Sequence, residues 1–148
     1  MNWQYIAGFI DGEGTIFIKN NRFRITVTQT NKEVSMAIKD FALCGNVAEI
    51  TKRKSHWNDC WVYYVCNIED IYNFLAMTLP FLIVKKEAAL YALSYLKEEL
   101  PKMRKKKEAI EERRRVARAL REDGLSYREI GKKLKVDWGY VRRLILKI

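Results

Sequence analysis

Residues Trp3 to Gly14 read WQYIAGFIDGEG, and the small side chains of Ala7, Gly8 and Gly12 restrict what this chain can fold into more than any other feature does. At helical spacing they strip one face of a helix almost bare, so another backbone can approach there far closer than ordinary helices allow. Ile6, Phe9 and Ile10 surround that face and would anchor the helix in a core. Asp11 and Glu13 arrive at its C-terminal end, immediately before an extended run. The stretch therefore marks an interface and delivers two carboxylates to one point. Spacing alone leaves two readings of those acids. They could hold a hard divalent cation, which takes oxygen ligands and bridges phosphates, or they could belong to a capped helix with a glycine-rich turn into a strand.

With 148 residues the chain can form one good core and a small satellite, not two full-sized domains. Its charge is divided sharply. Residues 1–100 hold 11 Lys and Arg against 11 Asp and Glu, whereas residues 101–148 hold 17 against 7, so the whole net charge of +10 lies in the last third. A small basic module of that kind attracts polyanions, nucleic acid first among them. No segment is apolar enough for a membrane span and no signal-peptide pattern opens the chain, so no membrane partner is expected. Cys44, Cys60 and Cys66 lack CxxC spacing and His56 is the single histidine, which argues against a zinc site and against histidine-based nucleases and Ser/His hydrolases. Free thiols point to an intracellular, reducing compartment, either the cytoplasm or, for an organelle-encoded chain, an organelle.

After Gly14, Thr15 to Lys19 alternates as a strand, with Ile16 and Ile18 toward a core. Asn20-Asn21 makes a hairpin turn, and Arg22 to Thr30 alternates again with Phe23, Ile25 and Val27 inward. The other face then carries Thr15, Phe17, Lys19, Arg22, Arg24, Thr26 and Thr28, with no acid between Glu13 and Glu33. Basic and hydroxyl side chains on one sheet face suit major-groove reading of DNA: Arg for guanine edges and phosphates, Thr for hydroxyl and methyl contacts. A helix follows, capped by Asn31 and running to about Leu43. The second hairpin, Asn46 to about Lys54 and about Cys60 to Cys66, offers Lys52 and Lys54 near its tip and Tyr64 as further nucleic-acid contacts. Its continuous apolar run hides which side chains face inward. Glu69 to Thr78 reads as a helix, and Phe81 to Leu100 as a longer one. The sum is an α+β fold, αββαββα, with a four-stranded antiparallel sheet and helices on one face.

Ile6 to Gly14, IAGFIDGEG, resembles the signature of the LAGLIDADG homing endonucleases nearly position for position, with Glu13 in place of the usual second Asp. The resemblance covers residues 3 to about 98. It implies that Glu13, with the Gly14 carbonyl, binds a catalytic Mg²⁺. It also implies that Ala7, Gly8, Asp11 and Gly12 lie at a dimer interface, with Asp11 a structural acid. Pro80 to Lys85, PFLIVK, resembles the segment that carries an active-site lysine in that family, which singles out Lys85. Gln29 matches a polar position that orients water; strict alternation turns it toward the core, so that role needs a bulge or a strand end there.

Pro101 is expected to end the long helix, with residues 101–107 a basic linker and 108–148 a small all-α domain. Gly124 supplies a helix C-cap, Ser126 to Glu129 a capping box, and Asp137 the cap of a last helix. LSYREIGKKLKVDWGYVRRLI resembles the helix-turn-helix of recombinases and sigma-type factors, with Trp138, Gly139, Tyr140, Arg142 and Arg143 toward the groove. Lys135 stands where such turns usually hold glycine, and a left-handed conformation there costs about 1 kcal/mol.

Taken together, the resemblance implies a homodimeric, Mg²⁺-dependent DNA endonuclease that makes a double-strand break in a long pseudo-palindromic site. The alternative is a nucleic-acid-binding protein without nuclease activity, such as an intron maturase with intron RNA as partner, or a DNA-binding regulator.

Overall fold

The computed structural model describes residues 1–19, 22–51 and 56–146. The expected Asn20-Asn21 turn and the two hairpin lysines Lys52 and Lys54 lie outside the described residues. The chain divides into two compact units, Met1–Leu100 and Pro101–Ile148. Among the described residues no helix is long and apolar enough to cross a membrane.

In the first unit the order is α1 (Trp3–Glu13), β1 (Gly14–Lys19), β2 (Arg22–Gln29), α2 (Lys32–Ala42), β3 (Asn46–Ile50), β4 (Cys60–Val65) and α3 (Ile68–Thr78). A 3₁₀ turn, Leu79–Phe81, precedes α4 (Lys86–Glu122). Three helices begin on asparagine, whose short side chain satisfies amides that the helix leaves bare. Asn2 Oδ1 accepts from the Tyr5 amide at 2.9 Å, Asn31 Oδ1 from Glu33 and Val34, and Asn67 Oδ1 from Glu69 and Asp70. The strands form one antiparallel sheet in the order β1-β2-β4-β3, so the two hairpins meet along β2 and β4. Period-two alternation places Ile25 and Val27 of β2 and Tyr63 and Val65 of β4 fully inside, against Ile6 and Ile10 of α1 and Phe74 of α3. Tyr63 also donates its hydroxyl to the Cys44 carbonyl at 3.1 Å, and burial pushes its phenol above the usual range. Cys44, Cys60 and Cys66 are all free thiols. Leu43, 89% exposed, takes the left-handed conformation that ends α2.

Two expected boundaries differ. The long helix starts at Lys86, not Phe81, because Leu82 turns extended and the amides of Ile83 and Lys85 are taken by the Asp11 carboxylate. Residues 101–107 are helical within α4 rather than a linker. Pro101 removes one amide and crowds the carbonyl four residues back. Lys102 to Ala109 nevertheless contains only strong helix formers, with no glycine or β-branched residue.

The second unit contains the rest of α4, then α5 (Tyr127–Leu134) and α6 (Trp138–Leu146) around Ala117, Ile130 and Val141. Each expected signal is in use. Gly124 has φ +89°, the Ser126/Glu129 capping box is complete, and Asp137 Oδ1 accepts from the Gly139 and Tyr140 amides at 2.8 and 3.3 Å. Lys135 does adopt the left-handed conformation, at φ 53° and ψ 46°. The close approach in this turn falls instead at Gly131, where an added Cβ would sit 2.8 Å from the Val136 carbonyl oxygen.

Candidate active site and nucleic-acid interface

The C-terminal end of α1 gathers three of the charged residues singled out in the sequence. Gly14 leaves the helix straight into β1 while its amide still reaches back to the carbonyls of Phe9 and Ile10. A Cβ at Gly14 would lie 2.7 Å from the Ile10 Cα, so only glycine permits this passage from helix to strand. Glu13, one residue earlier, is exposed at that corner.

Lys85 comes to the same corner from a segment 70 residues later in the chain. Its ammonium donates to the carbonyl oxygens of Ile10 and Asp11 at 2.6 and 2.7 Å. It thereby places a cation on the negative end of the helix dipole, where bare carbonyls otherwise need partners. Its backbone amide donates to Asp11 Oδ1 at 2.9 Å, and the Ile83 amide to Asp11 Oδ2 at 2.7 Å. Partial burial works to raise the Asp11 pKa. The amides of Ile83, Lys85 and Val84 and the Lys85 charge outweigh it and hold the carboxyl below its usual range.

The open face of α1 is narrower than expected. Gly8 and Gly12 are exposed and an added Cβ would meet nothing within 4 Å at either. Ala7, by contrast, is fully buried in the chain's own core, and Asp11 spends its carboxylate on residues 83–85. Ala7 is therefore not free for a partner helix, and the Asp11 carboxylate is engaged within its own chain. At about 100° per residue Ala7 shares the side of Ile6 and Ile10, whereas Gly8 and Gly12 are four apart on the opposite side.

The sheet's other face shows what the alternation predicted. Thr15, Phe17, Lys19, Arg22, Arg24 and Thr28 are exposed and Thr26 is half-buried. The register aligns them in rows: Thr15 opposite Thr26, Phe17 opposite Arg24, Lys19 opposite Arg22. It also resolves the second hairpin. Tyr64 stands opposite Thr26 on one side and Asn46 on the other, so it belongs to this outer face, with Val62 opposite Thr28 and Ala48. Asn46, Ala48 and Val62 escaped the sequence reading because nothing in an unbroken apolar run marks parity; the β2–β4 register supplies it. Gln29 keeps the inward parity, opposite Trp61 and half-buried. No bulge turns it, but β2 ends there.

In the second unit Trp138, Arg142 and Arg143 are exposed on α6, while Gly139 and Tyr140 are partly covered. All five line a hollow of about 730 Å³ with Ile110 and Arg114.

Among the described residues no three His, Cys, Asp or Glu side chains cluster as a metal site. One chain offers Glu13 as a single exposed carboxylate beside helix-end carbonyls. That is a donor set of hard oxygens, compatible with Mg²⁺ when phosphate and water complete the shell.

A family model for the LAGLIDADG-like domain matches residues 2–78. Among solved structures, the chain is similar to the archaeal intron-encoded homing endonuclease I-Vdi141I complexed with DNA, at 25% identity and TM-score 0.53, over 97% of this chain and 93% of that one. It is also similar to the homing endonuclease I-CvuI in complex with its target in the presence of calcium, at 23% identity and TM-score 0.52, over 74% and 73%. The meganuclease I-AabMI bound to uncleaved DNA matches at 18% identity and TM-score 0.52, over 68% of this chain and 39% of that one. No curated protein matches by sequence.

Proposed function

This chain belongs to the LAGLIDADG-like family, and on that footing we propose that it is a homing endonuclease that works as a homodimer in a reducing compartment and makes a double-strand break in duplex DNA. The observation that carries the reading is the convergence of Glu13 and Lys85 at one end of α1, where the chain enters a sheet face bearing Lys19, Arg22 and Arg24. The DNA complexes of similar structures support the same substrate, and the calcium in one of them supports a divalent cation.

One chain carries one motif helix, with Gly8 and Gly12 left open on it. Two copies meeting on that face would bring two Glu13 corners together, one for each DNA strand. Glu13, with the Gly14 carbonyl beside it, would hold the cation, Mg²⁺ in our reading. When bound, such a cation supplies charge for the phosphate and lowers the pKa of water. Lys85 keeps a positive charge at the same corner, where negative charge develops on the phosphate, and Asp11 fixes its backbone so that this charge does not wander. Gln29, at the end of β2, would orient water by hydrogen bonding. The second unit would add affinity, with α6 presenting Trp138, Arg142 and Arg143 to DNA as a helix-turn-helix does.

The test is Glu13→Gln, which keeps shape and removes charge. DNA binding should persist while cleavage in Mg²⁺ falls by about 10³-fold or more. Full cleavage by this variant would sink the assignment. If the unaltered chain binds duplex DNA and cuts it in neither Mg²⁺ nor Mn²⁺, the regulator reading replaces this one.

A further inference from the structure

The outer face of the sheet has a chemistry that narrows what it can read. Among the described residues none of its strand positions is acidic: β1 contributes Thr15, Phe17 and Lys19, β2 contributes Arg22, Arg24, Thr26 and Thr28, and β3 and β4 contribute the uncharged Asn46, Ala48, Val62 and Tyr64. Without a carboxylate the described strands offer no strong acceptor there for the amino group of cytosine, and Asn46 is their one outward amide for adenine. Among the described residues its arginines, Arg22 and Arg24, are matched to guanine, whose O6 and N7 accept two parallel bonds from one guanidinium.

Spacing sharpens this. Arg22 and Arg24 are both exposed, on the same face, two residues apart on β2, where they pair with Lys19 and Phe17 of β1. Two residues of strand advance about 6.7 Å. That equals about two base steps of about 3.4 Å each, so a strand lying along the groove brings alternate side chains to alternate base pairs. Arg24 is the nearer of the two to the Glu13 corner, since it pairs with Phe17 and Arg22 pairs with Lys19 at the hairpin tip.

Phe17 adds a different contact. It is 44% exposed in the middle of the otherwise polar outer face of its hairpin, directly opposite Arg24. A hollow of about 680 Å³ lies over this point, lined by Thr15, Phe17, Arg24, Thr26 and Cys66 among others. The thymine methyl is the apolar group that the major groove offers to such a ring.

We infer that each copy reads a half-site in which Arg24 takes a guanine, Arg22 takes a second guanine about two base pairs farther from the cut, and a thymine methyl rests against Phe17 at the level of Arg24. This rests on the proposed function and names its substrate more closely.

Selection by the 148-residue chain from randomised duplexes, in Ca²⁺ so that bound DNA is kept whole, should enrich two guanines at that spacing with an adjacent thymine. Arg24→Gln should lose discrimination at the inner guanine by about tenfold or more and keep it at the outer one; Arg22→Gln should do the reverse. Replacing the selected thymine by deoxyuridine removes only the methyl, and should weaken binding by the unaltered protein but not by Phe17→Ala. If Arg24→Gln weakens all sequences equally and flattens the salt dependence, the arginine contacts phosphate and the inference is overturned, while the nuclease reading stands. If deoxyuridine binds as well as thymine, Phe17 reads no methyl and that part is overturned without altering any protein residue. If the unaltered protein selects no sequence at all, the inference falls together with the site-specific reading beneath it.

Discussion

The two units solve the same electrostatic problem in opposite ways. Met1–Leu100 has as many acids as cations, yet sorts them: the outer sheet face keeps Lys19, Arg22 and Arg24, and the acids go to the helices, the loops and the edge strand β3. Pro101–Ile148 instead carries an excess of ten positive charges in 48 residues. Sorted charge on a rigid sheet can discriminate bases, whereas excess charge attracts any polyanion. Net charge alone points to the second unit only and passes over the sorted cations of the first.

The largest effect that could break this contrast is removal of the second unit. A chain ending at Leu100 should still fold, cut its site at low salt and prefer the same bases. Losing about six phosphate contacts would lower its salt slope by about 5 and its affinity at about 0.2 M salt by roughly 10³-fold. Binding titrations across a salt series check this. An unchanged slope would mean that the excess charge serves something other than DNA.

Next is the Asp11 clamp, which ties α1 to residues 83–85, whereas the Asp137 carboxylate of the second unit bonds only amides two and three residues on. Asp11→Asn keeps one acceptor oxygen and loses the charge, so about 2 kcal/mol of stability should go from the first unit, read as a lower urea midpoint. Acid should do the same to the unaltered protein. The folded pKa lies below the ordinary 3.8, so the clamp's contribution is complete above that value. It is lost as pH falls below 3.8 toward the folded pKa. Urea midpoints between pH 5 and 2 should drop for the unaltered chain and drop less for Asp11→Asn.

Each unit also has a glycine at negative φ pressed against backbone, and a matched pair of substitutions separates the units further. Gly14→Ala should destabilise the first unit and Gly131→Ala the second, each by about 1–3 kcal/mol, since both Cβ atoms would fall under 3 Å from backbone. Hydrogen exchange resolves which unit has loosened. Equal loosening of both units by either change would show that they unfold as one.

The smallest effects come from the two strained residues, one per unit. Leu43→Gly and Lys135→Gly relieve left-handed backbones at φ 54° and 53°. Each should stabilise its own unit by up to about 1 kcal/mol, partly offset by the freedom glycine adds to the unfolded chain. Differential thermal melting of the two variants would detect the pair.

Much of the first unit was legible before any coordinates. The motif stretch, the alternation of Thr15 to Lys19 and Arg22 to Thr28, and the Asn31 cap are local signals, written within a few residues of where they act. So were the Ser126/Glu129 box, the Gly124 cap and the Asp137 cap of the second unit. Two local readings went astray: small size put Ala7 with Gly8 and Gly12 although it belongs to the inward face of its helix, and Pro101, read as a helix end, lies inside α4.

What the chain determined by itself is the menu of elements and the chemistry each one carries, because hydrogen bonds within a helix and alternation within a strand are set by neighbours in sequence. What only the tertiary structure decided is which distant groups share a point. Lys85 reaches the end of α1 because Asp11 holds the amides of Ile83 and Lys85 across a gap of more than 70 residues. Tyr64 joins the outer face because β4 pairs with β2 in one register, and a slip of one residue would have buried it and exposed Tyr63. Contacts of that range are selected by the packing of the whole core, and a local pattern holds no record of them.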